Sequence, residues 1–282
     1  MSKQLNLLVG LDLSPMDDYL LSFLGQHAPK ITKQPIKILH TPINDHEPHD
    51  ALEAQILQKL PKTLANSEVM IKTGNPEKEL ELACEAMKID VVILGKKPDP
   101  GNHVKTKKLT EKAKSSLLLL PAKKDYQLET VYIALDFSDY DLAILKEAQK
   151  ITKELGVKLK GIQTYQVPSG YHKTGKDHKE FAKEMEENAR DEARLFFKHA
   201  GTSIEMTYIY EENQNTSQCI AKFVKDNPVD LLIMGSKGRT NAASVIHGSV
   251  AKEVTKEIDD TPMLILKMKD ENMDAFEAIK EV

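Results

Sequence analysis

Residues 234–250 read MGSKGRTNAASVIHGSV, with glycines in the spacing G-x2-G-x9-G-S, and they follow the apolar run VDLLIM at 229–234. An apolar run, a glycine loop and a new helical pattern are typical of a strand, a phosphate-binding loop and a helix. Glycine has no Cβ, so the backbone at Gly235 and Gly238 can take positive φ and come close to an anionic ligand. The segment therefore predicts an anion site.

The helix after the loop is predicted to complete this site. Gly248 and Ser249 open the helix, whose first N–H groups carry the partial positive charge of a helix N-terminus. The Ser249 hydroxyl is a further donor, and Lys237 and Arg239 add positive charge beside the loop. From the residues alone, a glycine turn followed by a capped helix without a ligand is the alternative.

Composition limits the class of protein. The chain has 282 residues, 40% of them hydrophobic and 29% charged, which predicts about two globular domains. A net charge of −4 gives no reason to expect nucleic acid or an anionic membrane as the main partner. No apolar run approaches the about 20 residues that span a bilayer. The first residues, MSKQLN, lack a signal-peptide pattern, so we expect a cytoplasmic protein.

Apolar runs and helical patterns alternate along the first half of the chain. The predicted strands are 5–13, 35–43, 68–73, 90–95 and 116–120, and the predicted helices are 16–27, 50–64 and 76–87. This alternation predicts a parallel sheet with right-handed crossovers. Cys84 and Cys219 fall in predicted helices of different halves, so the sequence supports neither a disulfide framework nor a metal cluster.

The pattern then repeats. ETVYIALDFS (129–138) repeats LNLLVGLDLS (5–14), and VDLLIMGSK (229–237) repeats IDVVILGKK (89–97). The offset between the copies is 124 residues from Asp12 to Asp136 and 140 residues from Gly95 to Gly235, so copy two carries 16 extra residues. Most of them fit after its second strand, at 167–181, in VPSGYHKTGKDHKEF.

The glycine spacing, the strand before it and the strand TPMLILK (261–267) after it resemble the nucleotide-binding motif of the universal stress protein family. The resemblance covers nearly the whole chain. It implies two tandem α/β sandwich domains, each with a five-stranded, mostly parallel sheet of the adenine nucleotide alpha hydrolase-like, Rossmann-like type. We predict a degenerate domain at 1–124, a domain with the motif at 129–269 and an amphipathic tail helix at 270–282. The tail helix is expected to dock on its own chain in preference to a partner.

The resemblance also implies a ligand and the residues that bind it. Asp136 and Ile162 would contact the adenine end of ATP, which would be bound with Mg²⁺. The residues implied around the ribose and phosphates are Met234, Gly235, Gly238, Gly248, Ser249 and Val250, with Arg239 beside them. From its position alone, Asp136 could instead cap the following helix. No catalytic residue and no metal ligand is assigned.

The implied function is a stress-response regulator or sensor with, at most, slow ATP hydrolysis. Because the family pairs its domains through their last strands, the two copies are expected to form an internal pseudo-dimer. A homodimer and an unnamed protein partner are left open. The alternatives are a nucleotide-free scaffold and an enzyme of the broader adenine-nucleotide α-hydrolase type. The enzyme would need an acceptor pocket and activating side chains that the sequence does not reveal.

Copy one departs from the motif. After Gly95 it reads KKPDPGNHVKTKKLT, in which Pro98 and Pro100 each remove an N–H donor, and its loop is about six residues shorter. We therefore predict one nucleotide per chain, held by copy two. The lysines of this stretch, from Lys96 to Lys114, are interpreted as a solvated helix face in preference to an anion site.

Two other groups of residues have alternative interpretations. One consists of His40, His46 and His49 with Asp45, Glu47 and Asp50, which could bind a divalent metal. A solvated loop leading into a helix capped by Asp50 is the simpler interpretation. The other consists of Tyr171, His172, Lys173 and His178 in the insertion of copy two. It could cover the nucleotide, although a surface or dimer contact is favoured.

Overall fold

The computed structural model describes residues 4–42, 47–96, 115–123, 126–175, 177–212, 214–236 and 249–268. The strands are β1 Leu7–Leu11, β2 Lys37–His40, β3 Glu68–Ile71, β4 Val91–Lys96, β5 Ser116–Pro121, β6 Thr130–Ala134, β7 Lys158–Tyr165, β8 Glu205–Tyr210, β9 Leu231–Gly235 and β10 Met263–Leu266. The α-helices are α1 Met16–Ile31, α2 His49–Lys59, α3 Pro76–Ala86, α4 Asp139–Leu155, α5 His178–Ala200, α6 Thr216–Asp226 and α7 Ser249–Glu257. Short 3₁₀ turns lie at Lys62–Leu64 and Tyr171–Thr174.

These elements form two compact units. The first takes the described residues up to Gln127 and those from Asp259 onward, and the second is Leu128–Ile258. In the first unit, β3, β2, β1, β4 and β5 lie side by side and are all parallel. In the second unit, β9, β6, β7 and β8 form the same parallel order. The predicted fold class, tandem and mostly parallel α/β, is confirmed.

The last strand lies with the first unit. β10 pairs antiparallel with β5, with Leu264 opposite Leu118. The Lys267 N–H also donates to the Ser116 hydroxyl over 3.1 Å. All four residues of β10 are buried in this position. Residues from Asp259 onward are therefore grouped with the first unit, and the predicted domain boundaries stay predictions. The predicted tail helix at 270–282 lies outside the described residues.

Helix α1 continues past its predicted end at residue 27 and contains a proline. Pro29 lies inside α1, and because proline has no N–H it cannot bond the carbonyl of Gly25 one turn earlier. The hydroxyl of Thr63, in the first 3₁₀ turn, donates to that Gly25 carbonyl over 2.9 Å. A distant side chain therefore replaces the missing backbone bond, and the helix reaches Ile31.

The turn after the first strand has the same construction in both units. Leu13 and Phe137 both have φ of 58°, in the left-handed region that residues with a Cβ rarely adopt. In the first unit, the Asp17 carboxylate accepts from the Leu13 N–H over 2.8 Å. In the second, the Asp141 carboxylate accepts from the Phe137 N–H over 3.0 Å. The sequence repeat is therefore also a repeat of side-chain contacts.

Each unit buries an apolar layer between its sheet and its helices. The most completely buried side chains include Leu8, Ile38 and Ile93 in the first unit and Ile133 and Ile144 in the second. Cys84 and Cys219 are both buried free thiols. Over the described residues, each helix is too short or too polar to serve as a membrane span.

Candidate functional site

The candidate site lies where β6 and β9 end in the second unit. These two strands are parallel neighbours, with Ala134 opposite Met234. Gly235 is the last residue of β9 and is half-buried, and Asp136 follows β6 by two residues. The register therefore brings Asp136 and Gly235 to the same edge of the sheet. Ligands of parallel α/β proteins bind at this carboxyl edge.

The Asp136 side chain has a structural role in the turn between β6 and α4. Its Oδ1 accepts a hydrogen bond from the Ser138 N–H over 3.0 Å, which closes the turn before α4. In the first unit, Asp12 Oδ1 accepts from the Ser14 N–H over 3.1 Å in the same way. Asp136 therefore fixes the turn before α4, whereas the N-cap residue of the helix is Ser138 and no side chain caps it. The contact of Asp136 with adenine stays a prediction.

Asp141 is an important residue of this edge that the sequence analysis did not single out. It is 3% exposed, and its Oδ2 accepts from the Asp136 N–H over 2.6 Å. Burial and then the negative charge of Asp136 raise the pKa of Asp141 well above its ordinary value. Asp141 thus positions the backbone that carries Asp136. The signal that could have found it is the pattern D-x-S-x-x-D, which occurs in both copies.

A second pair that the sequence did not reveal joins α4 to β9. The Tyr140 hydroxyl and the Ser236 hydroxyl lie 3.0 Å apart and are buried. Tyr140 is in the first turn of α4, and Ser236 follows Gly235 at the end of β9. The hydrogen bond fixes the point at which the chain leaves the sheet toward the glycine loop. Because these residues are 96 apart in sequence, no local pattern indicates the pair.

Two predicted ligand contacts are buried in the core. Ile162 has no exposed surface, and its backbone carbonyl accepts from the Leu135 N–H over 3.0 Å. Met234 is 5% exposed. The side chains of both residues therefore belong to the core of the second unit. On the same face of β7, Thr164 lies two residues closer to the carboxyl end than Ile162 and is half-buried.

The helix after the loop begins as predicted. α7 starts at the exposed Ser249, continues with the half-buried Val250 and buries Ala251 and Val254. The first N–H groups of an α-helix have no acceptor within the helix itself. Gly238, Arg239 and Gly248, with Lys237, lie outside the described residues.

The first unit fills the corresponding edge with side chains. Met16 occupies the position of Tyr140 and packs against Gly95 so closely that a Cβ at Gly95 would collide with it. Lys96 occupies the position of Ser236, is 5% exposed, and lies 3.3 Å from Asp259 Oδ1. Burial lowers the pKa of Lys96, an effect that the Asp259 carboxylate opposes. Including Lys96 in a solvated lysine-rich face was therefore wrong, because this amine is inside the unit.

The other lysines of that predicted face, from Lys97 to Lys114, lie outside the described residues.

The insertion of copy two packs against the end of β8. The Tyr171 ring lies 5.1 Å from the His178 ring, and the His178 Nε2 is 2.7 Å from the Tyr210 hydroxyl. Asp177 begins α5 by accepting from the Glu180 N–H over 2.8 Å. These contacts join the insertion to β8, whereas Asp136 and Gly235 follow β6 and β9. They favour a surface element over a cover for the nucleotide.

The histidine group of the first unit falls partly outside the described residues, since His46 and Asp45 lie there. Within the described ranges, no three His, Cys, Asp or Glu side chains are grouped as metal ligands. His40 is buried, and its Nδ1 lies 3.0 Å from the Leu11 carbonyl. Its ring is therefore engaged with the backbone of the neighbouring strand.

A parallel sheet with a glycine segment and a helix start at its carboxyl edge defines the class of doubly wound α/β proteins. The model of the universal stress protein family matches residues 127–267, which is half of the chain. The chain therefore belongs to the universal stress protein family, and the resemblance in the sequence is confirmed. A curated relative, the universal stress protein MJ0577 of Methanocaldococcus jannaschii, is 42% identical over 50 residues. That match covers 18% of this chain and 30% of the relative's length.

Solved structures support the fold over nearly the whole chain. A Pseudomonas aeruginosa UCBPP-PA14 protein assigned to the universal stress proteins superposes with a TM-score of 0.69 at 16% identity and covers 98% of both chains. A universal stress protein from Archaeoglobus fulgidus gives 0.65 at 18% identity, covering 95% of this chain and 98% of that one. The cytoplasmic domain of a prokaryotic cation chloride cotransporter gives 0.51 at 14% identity, covering 94% and 96%. At these identities the likeness concerns the fold alone.

Proposed function

We propose that this universal stress protein binds ATP, as its Mg²⁺ complex, at the carboxyl edge of the second unit and acts as a stress-response regulator or sensor. The observation that carries the proposal is the strand, glycine loop and helix of residues 229–257. Its described ends are Gly235 at the end of β9 and Ser249 at the start of α7. Backbone N–H groups around glycine and at a helix start are the donors that phosphates need.

The donor chemistry of the described residues fits such a ligand. Gly235 has no side chain to obstruct an approaching phosphate, and the Ser249 hydroxyl is exposed. At the other end, the Asp136 carboxylate can accept from the amino group of an adenine. Ile162 would act through its backbone or by supporting this edge from the core, since its side chain is buried. Mg²⁺ would neutralise part of the phosphate charge when bound.

The contrast between the two units supports one nucleotide per chain. In the first unit, Met16 and the ion pair of Lys96 with Asp259 occupy the positions that Tyr140 and Ser236 have in the second. A triphosphate must exchange its hydration for directed donors. The proline-containing loop of copy one has fewer of them. The cytoplasmic location and the internal pseudo-dimer stay predictions of the sequence.

The test of base recognition compares Asp136→Ala with Asp12→Ala by isothermal titration of ATP and GTP with Mg²⁺. Both variants lose the same turn hydrogen bond, so Asp12→Ala controls for the local structural role. We expect Asp136→Ala to weaken ATP binding and to reduce the preference for ATP over GTP, with Asp12→Ala close to wild type. Equal affinities and base preference in all three folded proteins would contradict the contact with adenine.

The test of the glycine loop compares Gly238→Val with Gly101→Val. A β-branched residue at Gly238 would penalise positive φ and block close approach, by about 1–3 kcal/mol for the backbone alone. That corresponds to about a tenfold or larger loss of ATP affinity. Gly101→Val should leave binding unchanged. Two nucleotides per chain, or loss of binding in Gly101→Val alone, would show that the proposed assignment of a single site to the second unit is wrong. A further measurement is mass spectrometry of protein purified without added nucleotide. If no nucleotide is released, and titration also shows no binding, the scaffold alternative is favoured.

A further inference from the structure

Strand β8 is an edge strand of the second unit. It pairs with β7, and the Glu211 N–H that continues this pairing donates to the Tyr165 carbonyl over 2.8 Å. Because backbone groups alternate along a strand, the N–H and C=O groups of Met206, Tyr208 and Tyr210 point away from β7. Within the part of the chain that the structure describes, no backbone hydrogen bond joins these groups to another segment. β8 therefore presents an open row of donors and acceptors.

A groove of about 600 Å³ lies beside this edge, between β8 and the C-terminal half of α5. Its apolar lining includes Phe197, Ile204 and Met206, and its cations are Arg190, Arg194 and Lys198. The three cations are spaced by four residues along the helix, so they share one face of α5. The groove thus has an apolar base and a row of positive charge along the helix that faces the open strand.

The present partners of these cations are weak competitors for an acidic ligand. Arg190 Nη2 lies 2.5 Å from Glu186 Oε1, and Arg194 Nη1 lies 2.5 Å from Asp191 Oδ1. Both pairs are within one helix, and the Arg190 and Arg194 side chains are 50% and 77% exposed. Exposed pairs of this kind contribute little to stability, so a ligand carboxylate can replace them. Arg190 also lies over the Tyr208 ring, 4.6 Å from its centroid.

The spacing of the cations defines the ligand. Arg190 and Lys198 are eight residues apart on a helix, which corresponds to about 12 Å. An extended strand rises about 3.3 Å per residue, so two side chains about four residues apart span this distance. Residues i, i+2 and i+4 of a strand lie on one face. An acidic residue at i and at i+4, with an apolar residue at i+2, would therefore meet the cations and the apolar base together.

We propose that β8 and α5 form a docking groove for an extended acidic segment of a partner protein, which adds to β8 as a further strand. The pattern of the segment is acidic, any, apolar, any, acidic. Strand addition supplies main-chain hydrogen bonds, and the groove supplies the choice of side chains. Among the described residues, the helix at the equivalent place in the first unit, α2, has 11 residues, whereas α5 has 23. This inference does not depend on nucleotide binding.

The test measures fluorescence polarisation of a fluorescein-labelled peptide, DTLTD flanked by glycines, with the full-length protein. We expect saturable binding that weakens with salt. Two changes in the peptide should each weaken binding about tenfold or more, which is about 1.4 kcal/mol. The first is KTLTK, which reverses the charges. The second is DTLTD with N-methylated backbone amides, which removes the donors needed for strand addition.

A charge-reversed protein gives the matched control. Arg194→Glu with Lys198→Glu should lose DTLTD binding and gain KTLTK binding, whereas Lys222→Glu, at an exposed position of α6, should behave as wild type. Far-UV circular dichroism checks that each variant is folded. The proposal is overturned if DTLTD does not bind or if N-methylation has no effect. It is also overturned if an oligonucleotide competes for the groove at lower concentration, or if sedimentation shows that this face instead pairs two copies of the chain.

Discussion

The repeated carboxylate after the first strand gives a prediction with an internal control. Asp141→Ala removes the acceptor for the N–H groups of Asp136 and Phe137, at 2.6 and 3.0 Å. Asp17→Ala removes the equivalent acceptor in the first unit, for the N–H groups of Asp12 and Leu13 at 3.3 and 2.8 Å. Both carboxyl groups are almost completely buried, at 3% and 1% exposure. The two substitutions are therefore closely matched in what they remove.

The magnitude follows from the two donors that are left without an acceptor. A buried donor that loses its partner costs about 1–3 kcal/mol. The substitution also removes the free-energy cost of burying a carboxyl group, which offsets part of the cost of the two unpaired donors. We expect each substitution to lower the free energy of unfolding by about 2–4 kcal/mol. Phe137 and Leu13, which are held at φ of 58°, would also be released toward ordinary conformations.

The assay separates stability from binding. Urea unfolding followed by circular dichroism gives the loss of stability, and amide hydrogen exchange shows whether it is local to residues 135–139 or 11–15. Calorimetry with ATP and Mg²⁺ should then show a loss of affinity for Asp141→Ala, because the turn that carries Asp136 is no longer fixed, and little change for Asp17→Ala. The reasoning is refuted if both variants keep wild-type stability and exchange, or if they lose nucleotide affinity equally.

Two further expectations concern stability. Burial raises the pKa of Asp17 from 3.8 to about 6, so the folded state binds this proton more tightly. Its stabilisation is complete below pH about 4 and is lost as the pH rises through about 6. Relative to Asp17→Asn, wild type should therefore lose up to about 3 kcal/mol in urea unfolding between these pH values, and a difference independent of pH would contradict this. Gly156→Ala should cost about 1 kcal/mol in thermal unfolding, because Gly156 ends α4 at φ of 74°. Gly170→Ala, at φ of −86° with equally open surroundings, should be neutral, and equal effects of the two substitutions would contradict the backbone explanation.

Local patterns predicted most of the fold. The strands of the first unit, together with β6, β9 and β10, were placed to within a few residues, since each is a short apolar run ended by turn residues. The end of α1 was missed because Pro29 is accommodated by Thr63, and a contact across 38 residues of sequence has no local signal. TPMLILK predicted the strand β10 itself, whereas its pairing with β5 is a tertiary contact that no local pattern of this segment indicates.

The candidate site was predictable where glycine spacing and strand ends mark it, as at Gly235, Ser249 and Asp136. The roles of particular side chains were less predictable. The sequence predicts the end of a strand only to within about two residues, so it does not fix which side chain reaches the edge. In this structure, Ile162 is inside the core, whereas Thr164 lies nearer the carboxyl end of β7. Buried partners such as Tyr140 and Ser236 require the fold, because a hydroxyl pair has no sequence pattern of its own.

The duplication shows which site residues serve the fold and which can serve a ligand. Asp12 and Asp136 close the same turn, although copy one lacks the glycine loop, so a carboxylate at this position is explained without a nucleotide. Tyr140 and Ser236 differ in the first unit, where Met16 and the buried Lys96 replace them. At these positions the first unit has Met16 packed on Gly95 and the ion pair of Lys96 with Asp259, whereas the second unit has a buried pair of hydroxyl groups. A ligand role for Asp136 must therefore come from its surroundings, which is why the comparison with Asp12→Ala decides it.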